Sequence, residues 1–241
     1  MSQYPESGAI ALVGSGEYLP VMTALEGELL QAAVARGKRK VFVQLPTAAG
    51  KENHQRLAHW HELGYTQAQR LGVECISLKL YNREDAFKTE FVEAISDAAL
   101  IYLSGGDPHY LASSLEDTPV WKAIVSAWST GTSLMGCSAG AMIFGKEIMG
   151  IRKSHASPGL NLLPTIQTIP HYDRFLGWLP DRIAGAIVRA PEGVHLLGID
   201  EETALVRDNA QSLWRVWGQG KVHVLKGAPT QSFCHGETIS L

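Results

Sequence analysis

The sequence has no excess of positive charge and no long apolar run, and both absences exclude classes of function. Lys and Arg number 21 against 24 Asp and Glu, which gives a formal net charge of −3. Nucleic acids and anionic membrane surfaces are bound by basic patches, which this balance does not suggest. A membrane-spanning helix needs about 18 or more consecutive apolar residues, and the chain has no such run. We therefore expect neither nucleic acid nor a membrane as a partner.

Cysteine is also scarce. Cys75, Cys137 and Cys234 are odd in number and form no CxxC pair, which argues against a disulfide framework and against a cysteine-based zinc site. The first eight residues are polar and lack the cationic start and apolar stretch of a signal peptide. These features predict a cytoplasmic protein, and no metal or nucleotide cofactor is expected.

Short apolar runs alternate with longer amphipathic stretches, a pattern typical of βαβ units around a parallel sheet. The runs predict strands over residues 9–13, 41–43, 75–78, 100–103 and 133–135. The stretches between them predict helices, including one over 52–63 that Gly64 should end. Short runs between residues 194 and 225 predict antiparallel strands that finish the sheet. Because no linker or repeat interrupts this pattern, residues 1–241 are predicted to form a single α/β domain.

A GxSxG motif follows the last of the five predicted strands. It reads Gly136-Cys137-Ser138-Ala139-Gly140 and precedes a stretch that favours a helix. A serine on a sharp turn from strand to helix needs small neighbours, because the backbone is strained, and its hydroxyl is presented to substrate. The motif predicts Ser138 as a nucleophile, whereas Cys137 lies beside the centre of the turn and is expected to be structural.

Backbone N–H groups from two turns, the one at Ser138 and the one that ends the preceding strand, are candidates for an oxyanion hole. The helix after the serine should direct the Ala139 N–H and the positive end of its dipole at the site. Gly105-Gly106 ends the preceding strand, and ligands of open parallel sheets bind at the carboxyl ends of strands. We predict that Gly105, Gly106 and Ala139 form the oxyanion hole.

His171 is the histidine best placed to serve Ser138 as a base. Pro170 keeps the preceding Ile169 out of the helical region, so residues 168–170 should be extended and present His171 at a strand end. The spacing of 33 residues between Ser138 and His171 leaves room for a helix and one returning strand. The two side chains are therefore predicted to be neighbours.

Together these motifs resemble those of the dipeptidase E and cyanophycinase serine peptidases. The resemblance covers nearly the whole chain and is carried by residues 11–17, 45–48, 103–107, 136–141, 170–171 and 198–203. It implies the class I glutamine amidotransferase-like fold, with three αβα layers and a mostly parallel, flavodoxin-like central sheet. It also implies a serine hydrolase that cleaves small peptides, acidic ones among them, or related amides, with Ser138 as nucleophile and His171 as base.

The acidic member of the triad is less evident. The resemblance implies a carboxylate in the loop after the helix that follows the serine, but this chain has Lys153 and Ala156 there. Glu147, the only acidic residue between Ser138 and His171, is one candidate. Asp173 is the other, because it repeats the His-x-acid spacing of glutamine amidotransferases.

Two further residues, Asp107 and Arg174, are expected to contact substrate. Cyanophycinase-like sequences carry glutamine after Gly-Gly-Asp, where this chain has Pro108, so cyanophycin is not the expected substrate. The missing loop carboxylate also leaves an alternative open, a catalytically degenerate member of the family that binds a small ligand or a partner protein. Homodimer formation is a further hypothesis.

Overall fold

Strands and helices alternate through the first half of the chain, as the apolar pattern predicts. The computed structural model describes residues 6–149, 157–175, 180–181, 184, 190–209 and 212–241. The elements of the first half are β1 (Ile10–Val13), α1 (Thr23–Val34), β2 (Arg39–Leu45), α2 (His54–Leu71), β3 (Glu74–Ser77), α3 (Thr89–Ser96), β4 (Ala98–Leu103), α4 (Pro108–Leu115), α5 (Pro119–Ser129), β5 (Ser133–Cys137) and α6 (Ala139–Met142).

The second half consists mainly of short strands. Its elements are β6 (Glu147–Ile148), β7 (Ser157–Pro158), β8 (Ile166–Ile169), α7 (Tyr172–Phe175), β9 (His195–Ile199), β10 (Thr203–Arg207), β11 (Trp214–Gly218), β12 (Val222–Lys226), β13 (Gln231–Phe233) and β14 (Thr238–Ile239). Within the described ranges, no helix combines the length and the apolar character that crossing a membrane requires.

Eight strands form the large central sheet, in the order β14-β11-β10-β1-β5-β4-β2-β3. Five neighbouring strands, β1, β5, β4, β2 and β3, run parallel to one another. The other three, β10, β11 and β14, add an antiparallel edge. This confirms the predicted mostly parallel sheet with antiparallel strands from the C-terminal end of the chain. The carboxyl ends of β1, β5 and β4 lie side by side because these three strands are neighbours.

Helices cover both faces of this sheet. Because side chains alternate along a strand, Ala11 and Val13 of β1 pack with residues of α1 and α2, whereas Ile10 and Leu12 pack with residues of α3 to α6. The apolar runs of the parallel strands are continuous because both faces are buried. The result is the three-layer αβα arrangement.

A smaller sheet has the order β13-β12-β9-β8. The sequence predicts that β9 and β12 finish the central sheet. This prediction is wrong, because both strands belong to the smaller sheet. Leu197 and Val224 reach the main core, whereas Leu196 and Leu225 face a separate small cluster, so these strands are apolar on both faces. Apolar runs reveal such strands but not the sheet they join. β8 and β9 run parallel, with Ile169 opposite Gly198.

The prediction that Gly64 ends the second helix is also wrong, since α2 continues to Leu71. A Cβ at Gly64 would overlap the side-chain amide of Gln44, so the glycine leaves room for that side chain between helix and sheet. The helix ends instead at Gly72, whose left-handed backbone has φ 64°.

Candidate active site

Ser138 lies on a strained turn between β5 and α6, with φ 49° and ψ −108°. Its N–H donates to the Val13 carbonyl at 2.9 Å, which holds the turn against the end of β1. A Cβ at Gly136 would overlap the backbone of Gly140, and a Cβ at Gly140 would overlap the Leu103 carbonyl. Both glycines of the motif are therefore required by close backbone approach, and the strand–turn–helix context has the geometry that exposes a nucleophile.

His171 follows β8 and meets Ser138 across the boundary between the two sheets. Its Nε2 lies 3.1 Å from Ser138 Oγ. The backbone at His171 has φ 51°, an uncommon value for a residue other than glycine. Strained positions of this kind concentrate at functional sites. The structure thus brings together the two residues that the sequence proposed as a pair.

Glu201 supplies the carboxylate that faces the other side of the imidazole. Its Oε1 lies 3.0 Å from His171 Nδ1. The two side chains meet because β8 and β9 are parallel neighbours, so the residues that follow their carboxyl ends emerge side by side. With both ring nitrogens of His171 engaged, neither Glu147 nor Asp173 is its partner in this structure.

The two carboxylates suggested by the sequence have other positions. Glu147 lies on β6, opposite Pro158 of β7. Asp173 accepts a hydrogen bond from the Glu201 backbone N–H at 3.0 Å, so it supports the segment of the carboxylate that contacts the histidine. Lys153 and Ala156 lie outside the described residues.

The charge of Glu201 is held by two donors. A carboxylate accepts hydrogen bonds only, so His171 donates from Nδ1 and keeps the Nε2 lone pair for the Ser138 hydroxyl. Arg174 Nε donates to Glu201 Oε2 at 3.1 Å. The hydrogen bond from His171, with that from Arg174, keeps the pKa of Glu201 below its ordinary value in spite of partial burial. Arg174 therefore contacts Glu201 from the solvent side, where 73% of the Arg174 side chain is exposed.

Two of the three predicted oxyanion donors are available. Gly105 N–H donates to Glu17 Oε1 at 3.1 Å and is therefore already paired. Within the described part of the chain, the N–H groups of Gly106 and Ala139 have no acceptor. A Cβ at Gly105 would lie 3.3 Å from Ser138 Cβ, so the turn after β4 borders the nucleophile directly. This arrangement allows an oxyanion to be bound by Gly106 and Ala139.

Cys137 and Glu17 lie next to the nucleophile and contact each other. The Cys137 thiol donates to Glu17 Oε2 at 3.0 Å and is fully buried. Burial, with the adjacent Glu17 carboxylate, raises the pKa of Cys137 well above its ordinary value. A buried thiol of this kind is inert, in agreement with the structural role expected from the sequence.

Asp107, expected to contact substrate, caps α4. Its Oδ1 accepts from the backbone N–H groups of His109 and Tyr110 at 2.9 and 3.1 Å. This places the residue at the border of the site, with a structural task that is independent of substrate. Nowhere in the described ranges do three or more His, Cys, Asp or Glu side chains form a group suited to a metal ion.

Reasoning from the sequence missed two residues of the site, Glu201 and Glu17. Glu201 lies two residues after the end of β9 and Glu17 four residues after the end of β1, and both belong to segments that carry the family resemblance, residues 198–203 and 11–17. An acidic residue just after a buried strand was the available signal. This signal could not be used, because the sequence does not show that β8 pairs with β9.

Comparison with known proteins identifies relatives of this chain. The model of peptidase family S51 matches residues 10–213. A crystallised peptidase from an acI-B1 Actinobacterium is 46% identical, with a TM-score of 0.92 over 99% of each chain. A peptidase E-like protein from Listeria monocytogenes EGD-e has the same fold, with 19% identity and a TM-score of 0.63 over 89% of this chain and all of that one.

Among curated proteins, the cyanophycinase of Synechococcus elongatus is 28% identical over 166 residues, which are 64% of this chain and 50% of the cyanophycinase. That of Geminocystis herdmanii is 27% identical over 176 residues, or 68% of this chain and 63% of its own length. The chain thus spans about half the length of the first of these curated relatives.

Proposed function

Since the chain belongs to peptidase family S51, we propose that it is a serine peptidase that cleaves small peptides or related amides through an acyl-enzyme on Ser138. The observation that carries the proposal is the continuous hydrogen-bonded series from Ser138 through His171 to Glu201, with contacts of 3.1 and 3.0 Å. Nucleophile, base and orienting carboxylate in this order form the constellation of serine hydrolases.

The proposed acylation follows from the position of each group. Ser138 Oγ attacks the scissile carbonyl while its proton passes to His171 Nε2, and the C–O bond forms as the carbonyl π electrons move to the oxygen. Gly106 and Ala139 N–H groups bind this oxyanion. The Glu201 carboxylate stabilises the imidazolium and keeps the ring in one orientation.

In the second half of the reaction, the His171 imidazolium gives its proton to the leaving amine as the C–N bond breaks. A water molecule then attacks the acyl-enzyme with His171 again as base, which releases the carboxylic acid and restores the Ser138 hydroxyl. All protons move through one ring nitrogen, Nε2, because Nδ1 is held by Glu201.

Arg174 supports a preference for acidic peptides. Its Nε binds Glu201, which leaves the terminal guanidinium nitrogens for a substrate carboxylate at the rim of the site. The alternative of a degenerate, non-catalytic protein arose from the missing loop carboxylate. The contact of Glu201 with His171 supports the catalytic alternative instead, because it supplies a carboxylate in place of the missing one.

Intact mass after treatment with a fluorophosphonate probe tests the proposal. We expect one adduct on the wild type, none on Ser138→Ala and none on His171→Ala, since the probe reacts only with an activated serine. Cys137→Ala is the matched control at the neighbouring position and should still be labelled. A folded wild type without an adduct, or an adduct that persists in Ser138→Ala, contradicts the proposal.

A panel of dipeptides tests the substrate preference. Arg174→Gln should raise KM for dipeptides with an acidic side chain and have less effect on KM for their amide counterparts. An equal change for both sets would assign Arg174 to the support of Glu201 alone.

A further inference from the structure

A second histidine, His223 on β12, lies behind the segments that carry His171 and Glu201, and the proposed mechanism does not use it. Its Nδ1 is 3.0 Å from Asp181 Oδ2, and its Nε2 is 3.2 Å from Asp200 Oδ1. Only 13% of the His223 side chain is exposed, so both contacts are shielded from solvent.

The geometry defines the protonation state that these contacts need. Carboxylates only accept hydrogen bonds, and a neutral imidazole has one N–H. Nδ1 of His223 is hydrogen-bonded to Asp181, and Nε2 is within ion-pair distance of Asp200, so only the doubly protonated, cationic ring is attracted to both carboxylates. Burial acts to lower the pKa of His223, but the interactions with Asp200 and Asp181 outweigh it and raise that pKa above its ordinary value.

Each contact connects His223 to a segment of the triad. Asp200 immediately precedes Glu201, and its Oδ2 also accepts the Lys221 N–H at 2.9 Å. Tyr172 immediately follows His171, and its hydroxyl donates to Asp181 Oδ1 at 2.9 Å. The rings of Tyr172 and His223 are 4.6 Å apart, and Tyr172 is almost fully buried.

We infer that His223 is a positioning residue: its imidazolium joins the segment of His171 to the segment of Glu201 and so maintains the hydrogen bond between them. This inference rests on the proposed function. It assigns a role in catalysis to a side chain that contacts neither substrate nor the reacting atoms.

Deprotonation of His223 at alkaline pH should weaken this connection between the two segments. The titratable groups that face His223 are Asp181, Asp200 and Tyr172. Loss of the His223 proton would place a ring lone pair against one carboxylate, which turns an attraction into a repulsion. Since this pKa is raised in the folded protein, the stabilisation is present below about pH 6.5 and is lost as pH rises through the folded value.

The rate of fluorophosphonate labelling between pH 6 and pH 10 tests this role, with His223→Gln as the variant and His59→Gln, an exposed histidine of α2, as the control. We expect His223→Gln to react about tenfold more slowly at pH 7, because misplacement of about 1 Å can cost up to about 10²-fold. The labelling rate of the wild type should fall at alkaline pH as His223 loses its proton, and His223→Gln should lack this fall. A wild-type rate with an unchanged alkaline limb would overturn the inference.

Nitrogen-15 NMR of the histidine rings provides a second readout that needs no turnover. In the wild type, His223 should show two ring N–H groups at pH 6. In His223→Gln, the His171 Nδ1–H signal should move or broaden as its contact with Glu201 loosens.

A neutral His223 ring at pH 6 in the wild type would overturn the inference even if His223→Gln does not fold. An unlabelled wild type whose His223 is cationic would instead refute the proposed function and leave the contacts of His223 intact.

Discussion

Ser138 and the two residues connected to it in series, His171 and Glu201, come from two sheets that position their side chains by different means. Ser138 belongs to the central sheet and is held by backbone contacts, through the Val13 carbonyl and two close-packed glycines. His171 and Glu201 follow neighbouring strands of the small sheet and are held by side-chain contacts, with 29% and 33% of their side chains exposed.

This difference determines what each region tolerates. A backbone-held position fails when a neighbour gains an atom, because the backbone cannot move aside. A position held by side chains fails when a charge or a hydrogen-bonding group is removed. Substitutions of the two kinds should therefore have separate effects, on stability in the central sheet and on rate in the small sheet.

The largest effect should come from Glu201→Gln. Its amide can still contact His171, but it no longer stabilises the imidazolium and permits the wrong tautomer. In the serine-protease template such a change costs about 10⁴ in turnover, so we expect a loss of about 10² to 10⁴ in labelling rate. Thermal stability should change little, because the Glu201 side chain is one-third exposed.

Glu147→Gln is the matched control for this prediction, since it makes the same chemical change at the other candidate position. Its labelling rate should stay within about twofold of the wild type, because Glu147 does not contact either ring nitrogen of His171. A large loss for Glu147→Gln together with a small one for Glu201→Gln would mean that the structure places the wrong carboxylate beside His171.

Gly140→Ala tests the backbone-held region. The new Cβ would overlap the Leu103 carbonyl, so the turn at Ser138 must shift. We expect a loss of about 3 kcal/mol or more in the free energy of unfolding, as for severe overpacking. Urea denaturation measures the loss.

Gly37→Ala is the control for Gly140→Ala. Gly37 has a positive φ of 87° but nothing near its absent side chain. Its substitution should cost only about 1 kcal/mol for the left-handed backbone. Equal losses at the two glycines would contradict a requirement for close packing at Ser138.

Glu17 makes both a backbone contact and a side-chain contact near Ser138. Its carboxylate accepts a hydrogen bond from the Gly105 backbone N–H and another from the Cys137 thiol. Glu17→Ala should lower the labelling rate about tenfold by loosening the turn that carries Gly106, less than the about 10²-fold cost of losing an oxyanion donor. Glu17→Gln retains an acceptor for Gly105 and should recover most of that rate. Similar rates for both variants would show that the acceptor oxygen has no role.

The smallest expected effect is on the pH dependence of stability. It concerns two buried groups, Glu26 beside the central sheet and His223 in the small sheet. Burial raises the pKa of Glu26 on α1 from 4.5 to about 8, against the opposing contributions of Gln67 and Arg70. The stability due to the neutral acid is therefore complete below pH 4.5 and is lost as pH rises to about 8.

Glu26→Gln cannot ionise, so its melting temperature should exceed that of the wild type at pH 9 and fall less between pH 6 and pH 9. His223→Gln should do the reverse and lose stability at pH 6, because there the charged form is the favoured one. A difference between Glu26→Gln and wild type that does not vary with pH would argue against a protonated Glu26.

Much of the central sheet was predictable from the chain, for a physical reason. Strands buried on both faces are apolar throughout, and the turns that follow β4 and β5 require glycine because backbone atoms approach closely. Ser138, His171 and the candidate oxyanion amides of Gly106 and Ala139 are visible for the same reason, because local geometry demands particular residues. Gly105 lies in a turn of the same kind, but its N–H is hydrogen-bonded to Glu17. No local pattern in the sequence reveals that contact.

The sequence by itself thus determined the βαβ units of a mostly parallel sheet, the turn that carries Ser138 and the histidine that reaches it, since each depends on short-range constraints that appear in the order of residue types. Only the tertiary structure decided which carboxylate faces His171, which amides are unpaired and that His223 lies between two aspartates. These features depend on the parallel pairing of β8 with β9 and on the separation of the small sheet from the large one. Pairing between strands about 30 residues apart is set by the packing of whole layers, which a local pattern does not contain.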